Sequence, residues 1–576
     1  MSVLAARWLR WRRSPLFWIL CAAAALRLAG MFWGLPGADG WDDDGVAPRN
    51  FLAGLAKTYA GGSYFTYPPL HMIVLAVLTA PGWIAALVNA HSLHPHDVIA
   101  EIIRVPYMTF FSLVARIVGA AMSLGTIALA GRMAEMVGGR RAGVFAAAAC
   151  ALNALLLYYG QVSNLDGPSL FWSALSLWGW MRVIAEHELR HIRWAALAAA
   201  AAVATKDQAY AVFVLSVPAA FLVWFALDEW PRRNARRIAG TLALWAALAV
   251  VALLAVDGAL VNPTGFEARL AFLAGPASAD YAQYQDDWSG RLQLLKDMWA
   301  AFPRSYPYAA SVLILFGMAV VVGRTRRQRP LLVAGLLPCL AAVSFTVLFN
   351  FVALRSENRF LLPQTVLLAV YAGVAVAELD AAAQPLVRHA ARGLAAIVAA
   401  LALYQCIGLD AAFLRDPRYD AESWLRSHVR AGDAIEAYGL NVYLPRFPPQ
   451  AIVTRLERKP LAARNPLPDV AEIDQPFGAV VSRRPRFVVV SAFWVADYLA
   501  AREVAPGKGR AVQMVKQANF ADAEARAYFR ALFGNRLPYR LARCSAYVSG
   551  FWPRPVGYES LTQTIFVFEL EPQHAV

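Results

Sequence analysis

The stretch PLFWILCAAAALRLAGMFWGLPGADGWDDDGVAPR, residues 15–49, sets the reading of the whole chain. Its first 21 residues are apolar apart from Arg27, about the length needed to cross a hydrocarbon core. Three consecutive carboxylates follow at once, Asp42, Asp43 and Asp44. An acidic cluster placed where a chain leaves a bilayer can bind a metal, deprotonate a hydroxyl or hold a cation. Which of these it does depends on the side it faces and on what else faces it.

Outward from this stretch the pattern repeats. Of 576 residues, 59% are hydrophobic and 16% charged, too apolar for a soluble chain of this length. The class expected is a polytopic α-helical membrane protein, with residues 15–35 a first span rather than a cleavable signal. A net charge of +15 suggests nucleic acid, but the basic residues sit in short loops between spans, where they set orientation, so no nucleic-acid partner is expected. The five cysteines form neither a disulfide framework nor a zinc spacing.

Basic loops assign the sides. Arg7, Arg10, Arg12 and Arg13 keep the N-terminus cytoplasmic, and Arg140–Arg141, Arg232–Arg233 and Arg388 mark later cytoplasmic loops. Residues 70–88 are apolar enough to span, yet crossing there would break the alternation. They are therefore expected to form an interfacial or re-entrant helix broken near Pro81-Gly82. The spans expected are 15–35, 113–137, 142–159, 169–184, 194–205, 209–227, 238–256, 306–322, 331–352, 360–377 and 394–412, about eleven in all. The C-terminus then lies on the outer face. From residue 414 charges, prolines and short β-branched runs replace the spans, predicting a soluble α/β domain over 414–576 beyond a membrane domain over 1–413. Two outer loops, 36–112 and 257–305, are long enough to carry function.

Orientation gathers the unusual residues on one face. Asp42 to Asp44, Arg49 and Tyr67 precede Asp166, which follows Ser163-Asn164; Lys206-Asp207 and Tyr210 come next, then Arg355 and Arg359. Carboxylates beside cations suit a reaction in which a base deprotonates a nucleophile while a phosphate departs. A lipid phosphate fits, because its tail can stay in the membrane. Blander readings compete: Asp42 to Asp44 as a solvated turn, Asp166 as a helix cap, Lys206 as a snorkelling span end, and Arg355 with Arg359 as partners of Glu357.

Several segments together resemble a known family. Leu26-Arg27-Leu28, Gly34-Leu35-Pro36, the acidic run, Arg49 and Tyr67-Pro68-Pro69-Leu70 are similar to the start of the protein O-mannosyltransferase-like family. That family belongs to the type C glycosyltransferases (GT-C) and includes the lipid A aminoarabinose transferases. Ser163 to Asp166, Lys206 to Tyr210 and residues 355–363 resemble it at matching places along the chain. The resemblance implies a GT-C-like enzyme of a bacterial-type inner membrane. It would pass a sugar from a polyprenyl-phosphate donor to an envelope glycan, lipid or protein on the periplasmic side, with inversion. Asp43 would be the base, with Asp42 or Asp44 as rival registers, and Asp166 the second acidic site. Asp44 stands where the family usually has Glu. Arg49, Tyr67, Lys206, Asp207, Tyr210, Arg355 and Arg359 would bind substrate, the last two and Lys206 at the donor phosphate. Members commonly need no divalent ion, although the clustered carboxylates have the ligands for one, so the metal is unknown. The alternative is a transporter or flippase of lipid-linked saccharide, which the lack of an internal repeat disfavours. A third is a non-catalytic scaffold acting through the outer domain.

Overall fold

The computed structural model describes residues 12, 14–37, 40–41, 46, 50–275, 282–439, 441–456, 470–499, 523–550 and 561–572. Asp42, Asp43, Asp44, Arg49 and Tyr281 lie outside them. The chain divides into two compact units. One comprises Met1–Met31, Gly45–Thr79 and Val114–Ile407; the other comprises Phe32–Asp44, Ala80–Leu113 and Gly408–Val576.

The first unit is helical. Among the described residues of the whole chain, six helices are long and apolar enough to cross a membrane, or eight if two bent pairs each count as one. The six are Val105–Ala151, Asp207–Leu227, Ala235–Val256, Arg329–Ala353, Asn358–Asp380 and Pro385–His428. The eleven expected spans are thus not matched one for one. Part of the difference is that Val105–Ala151 counts as one, although its backbone leaves the helical conformation at Gly139, between the spans expected at 113–137 and 142–159. Gly139 has φ +81°, a conformation that costs a residue with a Cβ and is free for glycine.

The span expected over 15–35 is helical only from Pro15 to Arg27. Arg27 is fully buried, donating to Ser123 Oγ from Nε at 3.0 Å and Nη2 at 2.8 Å, and to the Ala23 carbonyl. Beyond it Arg116 Nη1 takes the Met31 carbonyl at 2.8 Å, and the Gly30 amide donates to Gln161 Oε1. Side chains claim the backbone groups that a longer helix would need, so the chain turns instead. The segment expected to be interfacial does break, into Leu70–Leu78 and Ala80–Asn89. The break falls at Thr79, just before Pro81-Gly82, whose Pro cannot continue the hydrogen-bond ladder of the preceding turn.

Close helix packing relies on small residues. Ala309–Thr325 lies against Leu362–Asp380 so tightly that a Cβ at Gly317 would collide with the Tyr371 carbonyl. Further along, Arg329–Phe345 passes into a π-helical turn, Thr346–Asn350, and ends at Leu354 in the left-handed conformation, φ +52°. That reversal aims the loop carrying Arg355 and Arg359.

The second unit holds a six-stranded sheet in the order β3-β2-β1-β4-β6-β5. The strands are β1 Ala434–Tyr438, β2 Ile452–Leu456, β3 Val470–Ile473, β4 Phe487–Ser491, β5 Tyr539–Ser545 and β6 Ile565–Leu570. The first four are parallel; β6 runs antiparallel to β4, and β5 to β6. The mixed α/β character expected of this region is present. All five residues of β4 are buried, as a central strand covered on both faces requires. Val488 and Val490 pack with Tyr528, Phe529 and Leu532 of Ala523–Phe533, while Phe487 and Val489 pack with Ala421 and Leu425 of Pro417–His428. Asp416 caps the latter helix through the Arg418 amide at 3.0 Å and pairs with the Arg418 guanidinium at 2.7 Å, both side chains fully buried. Trp33 Nε1 donates to the same carboxylate at 3.1 Å. The Arg415-to-Arg418 run, conspicuous in sequence, therefore anchors the loop 32–37 to this unit.

Candidate active site

Three separated stretches of the helical unit bring charged side chains around one ring. Asp166 opens the helix Asp166–Glu186, its amide bound to Asn164 Oδ1 at 2.6 Å. Lys206 stands between Ile192–Val203 and the 3-10 turn Asp207–Ala209. Its Nζ lies 2.5 Å from Asp166 Oδ1, with both side chains about nine-tenths buried. The same ammonium is 5.9 Å from the centre of the Phe360 ring, and the guanidinium carbons of Arg355 and Arg359 are 4.8 and 4.9 Å from it. Glu357 joins the two arginines, accepting from Arg355 and lying 2.6 Å from Arg359.

Charge decides what such a cluster can hold. Three cations and two carboxylates meet there in a buried setting. Burial pushes the Glu357 carboxyl up, but Arg359 and Arg355 together outweigh that and hold it below the usual carboxylate range. It is therefore a fixed anion that spaces the arginines rather than a proton carrier. Phe360 presents its π-face to all three cations, a contact worth about 0.5–2 kcal/mol each. Asp166 Oδ2 is buried with no hydrogen-bond partner among the described residues. A carboxylate oxygen left so is costly unless a donor arrives, which suits a hydroxyl or amine on an incoming substrate.

Two other sequence candidates, Asp207 and Tyr210, have partners elsewhere. Asp207, next to Lys206 in the chain, pairs with Arg269 at 2.5 Å. Arg269 also lies 3.5 Å from Asp257 and donates from Nε to the Thr66 carbonyl at 3.3 Å. It belongs to Pro263–Ala274, and nothing in sequence singled it out, because one Arg in an outer loop carries no spacing signal. Tyr210 donates to the Leu348 carbonyl at 3.1 Å and is 41% exposed. The Tyr67 ring lies 6.1 Å from that of Phe65. The carboxylate run Asp42 to Asp44, with Arg49, lies outside the described residues. Among the described residues no three His, Cys, Asp or Glu side chains gather to hold a metal. His91, His94 and His96 are exposed, His94 capping Pro95–Ile102.

The Asp257–Arg269–Asp207 group has a pH consequence. Burial pushes the Asp257 carboxyl up to about 6, with Arg269 opposing and Asp207 reinforcing the rise. The folded state therefore binds this proton more tightly than the unfolded state does. Its contribution to stability is greatest below the ordinary Asp value and is lost as pH rises from about 4 towards 6. Thermal unfolding of Asp257→Asn is expected to show a flatter dependence on pH across that window than the unmodified protein. Parallel curves for the two would contradict the assignment.

The outer loop expected over 257–305 is docked onto the arginine loop. The Gln283 amide donates to the Leu354 carbonyl at 2.8 Å, and the Ser356 amide to Gln283 Oε1 at 3.2 Å. Tyr284 donates to Asp297 at 2.9 Å and accepts from Ser356 Oγ, while Arg304 donates to Asn358. Asp287 caps the helix Trp288–Ala301, and Asp286 pairs with Arg291.

Solved structures of two proteins, ArnT and the oligosaccharyltransferase AglB, are similar to this chain at low identity. ArnT from Cupriavidus metallidurans in the apo state is 16% identical, with a TM-score of 0.45 over 88% of this chain and 97% of its own. The same protein bound to undecaprenyl phosphate is 16% identical, with a TM-score of 0.43 over 85% and 96%. The oligosaccharyltransferase AglB from Archaeoglobus fulgidus, in complex with an inhibitory peptide and a dolichol-phosphate, is 12% identical with a TM-score of 0.45, covering 99% and 89%. No family model matches the chain, and no curated protein does.

Proposed function

We propose that the chain is an integral-membrane glycosyltransferase that moves a sugar from a polyprenyl-phosphate donor to a cell-envelope acceptor on the far side of the inner membrane. The observation that carries this reading is the buried meeting of Lys206, Arg355 and Arg359 around Phe360, with Asp166 held at 2.5 Å from the lysine. Cationic side chains gathered at one buried place suit a phosphate, whose oxygens accept charge-assisted hydrogen bonds from them.

The chemistry then runs in one displacement. Asp43 takes the proton of an acceptor hydroxyl, with Asp42 and Asp44 the rival bases. The hydroxyl oxygen attacks the anomeric carbon from the face opposite the phosphate, so the configuration inverts. The bond from that carbon to the phosphate oxygen breaks, and its electron pair leaves on the phosphate. Lys206, Arg355 and Arg359 stabilise the charge that develops there. Asp166 orients the lysine and offers its second oxygen to the acceptor.

Comparative mass spectrometry of lipids and envelope glycans, in cells with and without the protein, tests this reading. Cells lacking it are expected to accumulate one polyprenyl-phosphate sugar and to lose the matching mass from one envelope component. If reconstituted protein instead equilibrates a lipid-linked saccharide across the bilayer with no covalent product, the chain is a flippase and the proposed displacement does not occur.

A further inference from the structure

Four helices of the helical unit line a cavity of about 330 Å³ that includes none of the candidate site's side chains. They are the second half of Val105–Ala151, then Ala309–Thr325, Leu362–Asp380 and Pro385–Leu414. Alanines make the room: Ala149, Ala310, Ala372, Ala395, Ala399 and Ala402 stand where longer side chains would close it. The lining runs from Ala369 to Asp380 on one helix and from Ala391 to Ala402 on another, about 16 Å of rise on each. Drawn out over that length, the volume is a narrow bore, the form of one hydrocarbon chain. Its polar lining residues are Tyr306, Asp380 and Arg392, and the Tyr306 hydroxyl already donates to the Ala149 carbonyl at 3.1 Å.

One end of the bore is cationic. Arg392 Nε lies 2.6 Å from Asp380 Oδ1, and Arg141 Nη1 lies 3.4 Å from its Oδ2. Arg388, one turn before Arg392 and on the same face of its helix, acts electrostatically on the same carboxylate. The neighbouring acid, Glu378, is taken by Arg324 at 3.1 Å. Three guanidiniums thus share the Asp380 carboxylate among the described residues. Arg141 and Arg392 are exposed, as groups that meet a headgroup at a membrane surface must be. This end lies at the opposite terminus of the helical stretch Asn358–Asp380 from Arg359, about 30 Å along it.

We infer that this bore holds one acyl chain of an anionic phospholipid, whose phosphate sits at Arg141, Arg388 and Arg392. Two independent observations meet here, an apolar channel among helices apolar enough to cross a membrane and a cationic cluster at its end. Water finds few polar partners in such a channel, whereas a hydrocarbon chain supplies the contacts its lining lacks. A soluble anion would use the arginines and leave the channel unfilled. A zwitterionic lipid would fill the channel but bring its own cation against three guanidiniums. An acidic headgroup satisfies both parts, as basic pockets between membrane helices generally do. The donor of the proposed function is assigned to the cations at the other terminus of Asn358–Asp380, so this is a separate site. It stands whether or not the chain transfers sugar.

Native mass spectrometry of the full chain tests it, with the protein released from nanodiscs of equal parts phosphatidylglycerol and phosphatidylcholine bearing the same acyl chains. One phosphatidylglycerol is expected to stay bound, favoured about tenfold over phosphatidylcholine. Arg388→Gln combined with Arg392→Gln should bring that ratio near one. Filling the bore with Ala399→Phe or, from another helix, Ala149→Leu should release the lipid. Equal retention of the two lipids, or a ratio indifferent to the arginine changes, overturns the inference. Retention that persists in folded bore-filling variants also overturns it, because the lipid then lies on the outer surface. Undecaprenyl phosphate, added as a third probe and retained in preference to phosphatidylglycerol, would replace the phospholipid with a second polyprenyl site.

Discussion

Lys206→Ala is expected to lower sugar transfer by about two to three orders of magnitude, the usual loss when one donor to a developing anion is removed. The same change leaves Asp166 buried beside no cation, and breaking such a pair costs about 3–5 kcal/mol of stability. Loss of activity alone would therefore not distinguish catalysis from folding. The double variant Lys206→Met with Asp166→Asn separates them. With both charges gone, folding and membrane insertion should recover while transfer stays low. Lys206→Arg keeps the charge and should retain part of the rate. Full activity in the double variant would show that the Asp166–Lys206 pair, 2.5 Å apart, is only structural.

A comparable loss is expected for Asp43→Asn. Removal of a general base typically costs about 10²–10⁴ in rate. The amide is close in size and should leave expression and insertion unchanged. Asp42→Asn and Asp44→Asn are the necessary companions, because the three adjacent carboxylates allow three registers. One of the three should lose transfer, and the pH–rate profile of the other two should keep its acidic limb. Three fully active variants would remove the proposed base altogether.

Much of this arrangement is legible in the sequence because charge inside an apolar chain is conspicuous. Asp166, Lys206, Arg355 and Arg359 stand out against their spans, and the structure does bring these four together. Adjacency along the chain misled at Asp207. The backbone after Lys206 enters a 3-10 turn, and Arg269, sixty-two residues on, draws Asp207 away. No periodicity announces a partner that distant. Glu357 was visible as a neighbour of the arginines, but its role as their spacer depends on their folding back over Phe360. Span ends were the hardest to read. Hydropathy continues past Arg27, yet Arg116 and Gln161 capture the backbone of Gly30 and Met31, and hydropathy cannot register such a capture. In the sheet unit, the β-branched runs at 487–490 and 564–568 gave strands, whereas the order β3-β2-β1-β4-β6-β5 follows from pairings that local sequence does not encode.

Under the proposed function, the ties between segment 283–304 and the turn 354–358 bear on how a donor is received. Leu354, Ser356 and Asn358, every second residue of that turn, are each held by the outer loop. From within, Asn350 Nδ2 holds the Arg355 carbonyl at 2.9 Å. A turn fastened from both directions has lost its conformational freedom before any lipid arrives. The entropy of ordering its guanidinium groups is then charged to folding once, and not to every catalytic cycle. Cutting the outer loop should accordingly weaken donor affinity while the rate at saturation persists, the mark of a receptor prepared in advance.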